Sequence, residues 1–267
     1  MNLFVFDLDG TLLSEQNNPL GEILPKTREA LLTLRSQGHQ LVLASGRCKR
    51  GMTHFSELLD FYKGGYLIGY NGGLLWDCLK EETLFSQVFD GALCSNILSH
   101  LVKFDVTLMI DSGETMYLNQ ENRMTEYECG TNHLTPVVLA DFLQLPNFPV
   151  HKILVYQEEE KLQAQVPKII EPFQTRVAYA YSAPVYFEIT PLGINKAQTL
   201  KRLQALLRPQ KTIAFGDGEN DLGMLALADI SIAMKNAEPK VKDACDMITD
   251  SNDEEGIFVA LQKLGFC

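Results

Sequence analysis

Short apolar runs alternate with helical patterns over the first part of the chain. Leu3–Phe6 and Leu41–Ala44 are apolar runs typical of buried strands, and a helical stretch, KTREALLTLRSQG, lies between them. Pro25 stands at the favoured start of that helix, and Gly38 follows its end. The next predicted elements are a helix over 48–59 and strands over 66–68 and 74–76. This alternation favours β-α-β units and therefore a parallel sheet.

The last part of the chain shows the same alternation. Apolar residues at helical spacing predict a helix over 195–207. The elements predicted after it are strands over 212–215 and 230–233 and helices over 222–228 and 254–264. We therefore expect the first and last parts of the chain to contribute to one sheet.

The middle of the chain has a different pattern, in which strand-like runs recur between polar turns. The predicted elements are strands over 106–110, 115–118, 153–156 and 176–181 and helices over 93–102 and 159–170. This pattern indicates an α+β insert with antiparallel strands. We predict a core domain made of 1–81 and 185–267, interrupted by an inserted domain at 82–184.

Composition and charge exclude some classes of function. Of the 267 residues, 46% are hydrophobic and 21% are charged, which is typical of a folded globular protein. The net charge of −11 argues against non-specific binding to nucleic acid. An anion site on such an acidic chain would need a metal ion or local basic groups.

Cysteine usage and the N-terminus indicate a cytoplasmic protein. The six cysteines form no C-x-x-C pair and the five histidines form no H-E-x-x-H, so we expect neither a zinc site nor a disulfide framework. The apolar run that begins at Leu3 ends at Asp7, too soon for a signal peptide or a membrane span. We accordingly expect no membrane partner and no transporter ATPase core.

Polar, glycine-bearing segments follow three of the predicted core strands. They are Asp7, Asp9, Gly10 and Thr11 after the first strand, Ser45, Gly46 and Arg47 after the second, and Gly216–Asp221 after the strand at 212–215. In open parallel sheets, ligands bind beyond the carboxyl ends of the strands. Each segment leads towards a helix, whose first backbone N–H groups suit an anion. The sequence therefore predicts a shared site.

Four carboxylates would meet at this site, from Asp7, Asp9, Asp217 and Asp221. They cannot all remain ionised without a cation, and oxygen ligands of this kind suit Mg²⁺. Lys196 opens the helix before the strand at 212–215 and would add a fixed positive charge.

Each of these segments also has an ordinary structural interpretation. Asp-Leu-Asp-Gly is typical of a turn, and Ser-Gly-Arg is typical of a helix start with a surface arginine. A lysine near a helix start is usually solvated, and Gly216–Asp221 could be a loop with a capping aspartate. The ordered combination, with each segment at the end of a strand or helix, favours the shared site.

Taken together, the segments resemble the haloacid dehalogenase superfamily, specifically its Cof-type phosphatase branch. The matching residues are Asp7-Leu8-Asp9-Gly10-Thr11, Ser45-Gly46-Arg47, Lys196 and Gly216-Asp217-Gly218-Glu219-Asn220-Asp221. The resemblance covers nearly the whole chain, including the place and size of the insert. It implies an α/β fold with a Rossmann-like parallel-sheet core and an inserted α+β cap domain.

The resemblance also implies catalytic and metal-binding roles. Asp7 would attack the substrate phosphorus and form an aspartyl-phosphate, and Asp9 would act as general acid and base. Mg²⁺ would be held by the Asp7 carboxylate, the Asp9 carbonyl and Asp217. Asp221 would support the metal or Lys196.

The remaining roles concern phosphate and substrate binding. Ser45 and Gly46 would bind the phosphoryl oxygens, and Lys196 would neutralise charge on Asp7 and on the phosphoryl group. The other predicted contacts come from Asn220, to phosphate or a metal-bound water, and from Arg47 and Asn71, which lie at positions that resemble substrate-facing ones.

The second aspartate of the first motif favours phosphoryl transfer, because a dehalogenase needs no acid to protonate an alkoxide. We expect a Mg²⁺-dependent phosphatase that hydrolyses small phosphorylated metabolites, with sugar phosphates as the expected substrates. The alternatives are a phosphohexomutase of the same branch and a low-turnover sensor that takes up phosphate on Asp7. The expected partner is a small phosphorylated substrate, and the expected state is a monomer or small homo-oligomer.

Overall fold

Strands from the two distant parts of the chain pair side by side. In the computed structural model, which describes residues 1–145 and 147–267, Leu3–Phe6 is hydrogen-bonded in parallel to Thr212–Gly216. Met1–Ser86 and Asn195–Cys267 consequently form one unit, here called the core unit. Gln87–Ile194 forms a second one, here called the inserted unit.

The secondary structure agrees closely with the predicted pattern. The strands are β1 (Leu3–Phe6), β2 (Leu13–Ser14), β3 (Glu22–Ile23), β4 (Gln40–Ala44), β5 (Tyr66–Gly69), β6 (Leu74–Asp77), β7 (Glu82–Ser86), β8 (Thr107–Ser112), β9 (Thr115–Leu118), β10 (Thr135–Val138), β11 (Ile153–Tyr156), β12 (Val177–Ala183), β13 (Tyr186–Pro191), β14 (Thr212–Gly216), β15 (Ile230–Ala233) and β16 (Met247–Ile248). The helices are α1 (Pro25–Ser36), α2 (Lys49–Leu58), α3 (Gly91–Leu101), α4 (Arg123–Asn132), α5 (Glu159–Ile170), α6 (Lys196–Leu207), α7 (Leu222–Leu225), α8 (Pro239–Ala244) and α9 (Gly256–Lys263).

The core unit is built on a sheet in the order β16-β15-β14-β1-β4-β5-β6-β7. Pairing is parallel from β16 to β5 and antiparallel for β6 and β7. β1 lies near the middle and is fully buried, with Phe6 stacked on Phe215 at 5.0 Å between ring centroids. Its apolar sequence, with no alternation, is typical of a strand covered on both faces. This confirms the predicted parallel-sheet core.

The inserted unit has its own sheet, in the order β10-β9-β8-β11-β13-β12. Its pairs are antiparallel except for β9 with β10. Helices α3 and α5 contribute Ile97, Leu162 and Ile169 to an apolar cluster with Leu108 and Phe187 from the strands. The predicted α+β character of the insert is confirmed.

The predicted boundaries between the two units were wrong by several residues. We placed 82–86 in the insert, but β7 pairs with β6 and extends the core sheet. We placed 185–194 in the core, but β13 lies between β11 and β12 in the other sheet. Local pattern identifies a strand, whereas only its pairing partner decides which sheet the strand joins.

Three elements of the inserted unit were not predicted, α4, β10 and β13. Helix α4 reads RMTEYECGTN, which carries little apolar periodicity. Its start is instead defined by a capping box, in which the Asn122 side chain and the Thr125 side chain each bind the other residue's backbone N–H. At the other end of the chain, α7 stops at Leu225, earlier than the helix that we predicted over 222–228.

Among the residues that the structure describes, none of the helices has both the length and the apolar character needed to cross a membrane.

A loop near the C-terminus anchors the first helix and the hairpin before it. The Glu255 carboxylate accepts hydrogen bonds from the backbone N–H groups of Lys26 (3.0 Å) and Thr27 (2.8 Å) and from the Thr27 hydroxyl (2.6 Å). Leu24, the residue before α1, has an apolar side chain that cannot accept hydrogen bonds from these groups. Asp253 accepts a hydrogen bond from Ser14 at 2.6 Å. Glu255 thus performs the capping function that the helix's own sequence lacks.

We expect Glu255→Ala to destabilise the core unit by about 1–2 kcal/mol, because the substitution leaves the first N–H groups of α1 without their acceptor. The measurement is the midpoint of chemical denaturation followed by circular dichroism. Glu29→Ala is the matched control, because Glu29 is an exposed glutamate on the same helix. Equal stability of the two variants would contradict the capping role.

Candidate active site

Three loops meet at one edge of the core sheet. Asp7 directly follows β1, Ser45 follows β4, and Asp217 follows β14. Since β1 lies between β14 and β4 with all three strands parallel, their carboxyl ends point the same way. The backbone N–H of Asp7 bonds to the Phe215 carbonyl at 3.1 Å, which continues the ladder into the site. The predicted convergence of these motifs is what the structure shows.

A buried lysine links two of the predicted acids. Lys196 Nζ lies 2.5 Å from Asp7 Oδ1 and 2.7 Å from Asp221 Oδ1, and all three side chains are buried. Lys196 is the first residue of α6, whose start is capped by the Asn195 side chain through the Gln198 N–H at 2.8 Å. The helix start therefore delivers the ammonium group into the site rather than to solvent.

The charges in this group control one another. Burial raises the pKa of Asp7 well above its usual value, and the neighbouring Asp221 raises it further, while Lys196 opposes both. Burial alone would lower the pKa of Lys196, but Asp221 and Asp7 outweigh it, so that pKa is raised. Lys196 therefore stays charged, and it partly compensates the two carboxylates that it joins.

Asp217 is positioned by side-chain and backbone contacts. The Thr11 hydroxyl donates to Asp217 Oδ1 at 2.5 Å. Asp221 Oδ2 accepts from the backbone N–H groups of Asp217 and Gly218, each at 3.1 Å. Gly10 has a φ of +79°, and a Cβ there would collide with the Asp217 carboxylate. The glycine of the first motif is therefore required both by its backbone conformation and by this close approach.

The acidic group could hold a divalent metal ion. Among the described residues, Asp7, Asp217 and Asp221 each offer a carboxylate oxygen, and these oxygens lie within 4.8 Å of one another. Burial raises the pKa of Asp217 to about 6, with a contribution from Asp221 that the Thr11 hydrogen bond opposes. A single ammonium leaves this group with excess negative charge, so hard oxygen donors and electrostatics both suit a cation such as Mg²⁺.

Two of the four predicted metal-binding residues, Asp221 and Asp9, have carboxylates that already bind other groups of the protein. Asp221 already uses Oδ1 for Lys196 and Oδ2 for backbone N–H groups, which suits the supporting role that the family resemblance implied. The Asp9 carboxylate lies outside the acidic group and is bound by Arg47. A metal contact from the Asp9 carbonyl stays a prediction.

Asp9 has an environment opposite to that of Asp7. Arg47 binds its carboxylate through both Nη2 and Nε, the latter at 3.0 Å from Oδ2. Arg47 is buried, whereas the Asp9 side chain is 47% exposed. The structure places the Arg47 guanidinium against Asp9, where it fixes the orientation of that carboxylate. A contact between Arg47 and the substrate stays a prediction.

The remaining predicted residues form a second side of the site. Asn71 donates its backbone N–H to the Ser45 carbonyl at 2.9 Å and accepts from the Asn220 side chain at 3.1 Å. The Asn71 amide also lies against the Cα of Gly46, where a Cβ would stand 3.1 Å from its nitrogen. The Ser45 hydroxyl accepts the Arg47 N–H at 3.1 Å. Ser45, Gly46, Asn71 and Asn220 are therefore brought together, and their contacts with phosphate and substrate stay predictions.

The turn that carries Asn71 was not predicted to have structural importance. Tyr70, Asn71 and Gly72 have φ angles of +52°, +54° and +108°. A positive φ at a bulky residue such as Tyr70 is rare and costs on the order of 1–3 kcal/mol. The Gly72 carbonyl accepts from the Thr199 hydroxyl at 2.7 Å, and a Cβ at Gly72 would collide with the Asn195 carbonyl. This turn thus joins β5 to the start of α6, and the run Gly-Tyr-Asn-Gly-Gly was its sequence signal.

Comparison with known proteins decides the family. The family model of haloacid dehalogenase-like hydrolases matches residues 4–261. This chain belongs to the haloacid dehalogenase-like hydrolase family. A solved haloacid dehalogenase-like hydrolase from Bacteroides thetaiotaomicron is 30% identical with a TM-score of 0.92, covering 98% of this chain and 99% of its own. The resemblance to the Cof-type branch is confirmed.

Two further relatives of this hydrolase have names that specify an activity. The subclass IIB sugar phosphatase BT4131 is 25% identical with a TM-score of 0.80, and the match covers both chains completely. The 5-amino-6-(5-phospho-D-ribitylamino)uracil phosphatase of Bacillus subtilis is 26% identical over 267 residues, covering 98% of this chain and 95% of the relative. The family and these relatives show that the haloacid dehalogenase-like hydrolase described here is a phosphatase.

The raised pKa of Asp217 has a consequence for stability. Its pKa is about 6 in the folded state against 3.8 for an unperturbed aspartate, so the folded state favours the protonated form. The contribution of Asp217 is therefore most favourable below about pH 4 and is lost as the pH rises through 6. We expect Asp217→Asn to stabilise the metal-free protein at pH 8 by about 1–3 kcal/mol.

The measurement is the free energy of unfolding from denaturation in EDTA at pH 8 and at pH 4. The difference in this free energy between Asp217→Asn and wild type should be smaller at pH 4 than at pH 8. Asp243→Asn, which removes an exposed carboxylate of α8, is the control and should change neither. A less stable Asp217→Asn protein at pH 8 would show that the carboxylate is not under electrostatic strain.

Proposed function

We propose that this phosphatase hydrolyses sugar phosphates in a Mg²⁺-dependent reaction through a phosphoenzyme formed on Asp7. One observation carries the proposal: a strand-end carboxylate, Asp7, is paired with the buried ammonium of Lys196 while a second acid, Asp9, stands apart on Arg47. Because the two carboxylates have separate partners, one can act as the nucleophile while the other transfers the proton.

In the first step, an oxygen of the Asp7 carboxylate attacks the phosphorus. A bond from phosphorus to that oxygen forms and the ester bond to the sugar breaks, while Asp9 gives its proton to the leaving alkoxide. In the second step, Asp9 takes a proton from water as the water attacks the same phosphorus. Inorganic phosphate leaves and the carboxylate of Asp7 is restored.

The positive charge of Lys196 stabilises the negative charge that gathers on Asp7 and the phosphoryl oxygens. Ser45, Gly46 and Asn220 would bind the phosphoryl group, and the hydrogen bond from Asn220 to Asn71 ties the loops after β14 and β5 together. Positioning by hydrogen bonds and charge accounts for most of the catalysis in phosphoryl transfer.

The Asp7 and Asp217 carboxylates and the Asp9 carbonyl would hold Mg²⁺. When bound, the ion would polarise the phosphoryl group and offset the repulsion between the acids. The fit is supported by the excess negative charge of the acidic group and by the raised pKa values of Asp7 and Asp217.

The two relatives with named activities support sugar phosphates as the substrate class. One is called a sugar phosphatase, and the substrate in the other's name carries its phosphate on a ribityl chain. Both names describe phosphate esters of polyhydroxylated carbon chains. The acidic chain argues against nucleic acid as a partner, and a cytoplasmic location stays a prediction.

A phosphate-release screen with Mg²⁺ tests the substrate class. We expect release from hexose or pentose phosphates at a kcat/KM at least about tenfold above that for flavin mononucleotide or pyridoxal phosphate. Isomerised sugar phosphate without free phosphate would instead identify a phosphohexomutase. A long-lived phosphoprotein after incubation with acetyl phosphate would identify a sensor, and both results would overturn the proposal.

We expect Asp7→Asn to reduce phosphate release by at least about 1,000-fold, because an amide cannot serve as the nucleophile. The thermal midpoint should not fall, because burial and Asp221 disfavour the charge on Asp7 more than Lys196 favours it, and Asp221 remains as a partner for Lys196. Glu219→Gln, at an exposed acid in the loop after β14, is the control and should retain activity. An active Asp7→Asn protein would exclude Asp7 as the nucleophile.

We expect added Mg²⁺ to raise the thermal midpoint of the wild-type protein, because a ligand of the folded state stabilises it. The same addition should have little effect on Asp217→Asn, which lacks one carboxylate of the group. Differential scanning fluorimetry over a Mg²⁺ titration in the absence of substrate provides the measurement. Undiminished phosphate release in EDTA would remove the metal from the mechanism.

A further inference from the structure

One edge of the inserted unit's sheet is long and uncharged. The sheet ends at β12, which pairs with β13 and, among the described residues, with no strand on its other side. β12 has seven residues, VAYAYSA, without charge or proline. On the side of such a strand that faces away from β13, the backbone N–H and C=O groups can pair with another strand.

The other outer strands of the two large sheets have features that oppose such pairing. β10 is four residues long and contains Pro136, which lacks an N–H. β7 begins with the charged Glu82, and β16 has only two residues. Short length, charge and proline are the features that protect natural sheet edges, and β12 has none of these three.

Two tyrosines line β12 on one face of the sheet. The rings of Tyr179 and Tyr181 lie 5.8 Å and 5.3 Å from the ring of Phe187 on β13. Phe187 belongs to the apolar cluster that α5 covers on this face of the sheet. Although they lie beside buried Phe187, they are 44% and 46% exposed. An apolar edge beside a covered core suits contact with a second apolar edge.

The first five residues of β12, VAYAY, are nearly symmetric about Tyr179. Pairing with β13 is regular from Val177 to Tyr181 and shifts register just beyond Tyr181. In an antiparallel pair of two such strands with Tyr179 on the two-fold axis, Tyr179 faces Tyr179, Val177 faces Tyr181, and Ala178 faces Ala180. Large side chains meet on one face and alanines on the other, so the strand is complementary to itself.

We propose that β12 pairs antiparallel with β12 of a second copy of this chain and joins the two inserted sheets into one. The self-complementary register favours a second copy as the occupant, and β12 itself carries no charge that would add to the repulsion between two chains of net charge −11. The exposed parts of four tyrosines supply roughly 400 Å² of contact, with the backbone edges adding to it. This falls short of a standard permanent interface, so the dimer is weak and concentration-dependent.

Analytical ultracentrifugation of the full chain tests the pairing. The weight-average mass of the wild type should rise from 29.9 kDa towards twice that value as the concentration approaches about 1 mM. Tyr179→Glu and Tyr179→Lys place like charges opposite each other on the axis. Each variant alone should weaken dimerisation by about tenfold or more. An equimolar mixture of the two should dimerise again, because a glutamate then faces a lysine.

Tyr127→Glu and Tyr127→Lys are the matched controls. Tyr127 is a tyrosine of the same unit with 43% exposure, but it lies on α4. These variants should dimerise like the wild type. A wild type that stays monomeric up to about 1 mM overturns the proposal. Binding of an extended peptide by β12 in such a monomer would not rescue it. A mixture of the Tyr179 variants that fails to recover dimerisation overturns the register centred on Tyr179.

Discussion

The ion pairs of Lys196 with Asp7 and Asp221 are the constraint on which the site depends. A buried ammonium is unfavourable unless it is paired, and here it has two carboxylate partners at 2.5 Å and 2.7 Å. The three residues come from the end of β1, the start of α6 and the loop after β14. Because a buried charge cannot lose its partners without a large penalty, this one contact requires three distant segments of the chain to meet in a single arrangement.

The same constraint explains how two acids only two residues apart acquire different properties. Asp7 is buried on Lys196, whereas Asp9 is half exposed and is held by Arg47. The chain begins to turn at Leu8, between the two acids, and continues the turn at Gly10, whose φ is +79°. One short segment can therefore present the proposed nucleophile and the proposed proton donor without the two carboxylates competing for the same partner.

Local strain accompanies this organisation. The left-handed conformation of Tyr70 and Asn71 and the grouping of three carboxylates are both unfavourable in isolation. They persist because the surrounding structure is stable: β1 and β14 are fully buried, and Thr199 fixes the Gly72 carbonyl. Strain of this kind concentrates where groups must be held ready to bind a ligand, and here it borders the predicted phosphate-binding residues.

The amino-acid sequence by itself determined the parallel-sheet core, the presence of an insert and the strand-end positions of Asp7, Ser45 and Asp217, because hydrophobic periodicity and turn residues are local signals. It did not determine which sheet β7 and β13 join, that Arg47 binds Asp9, or that Glu255 caps α1. Each of these depends on a partner far away in the chain, as with Glu255 and Thr27. Only the tertiary structure decides such pairs, because hydrogen bonds and ion pairs depend on distances in space that no local pattern encodes.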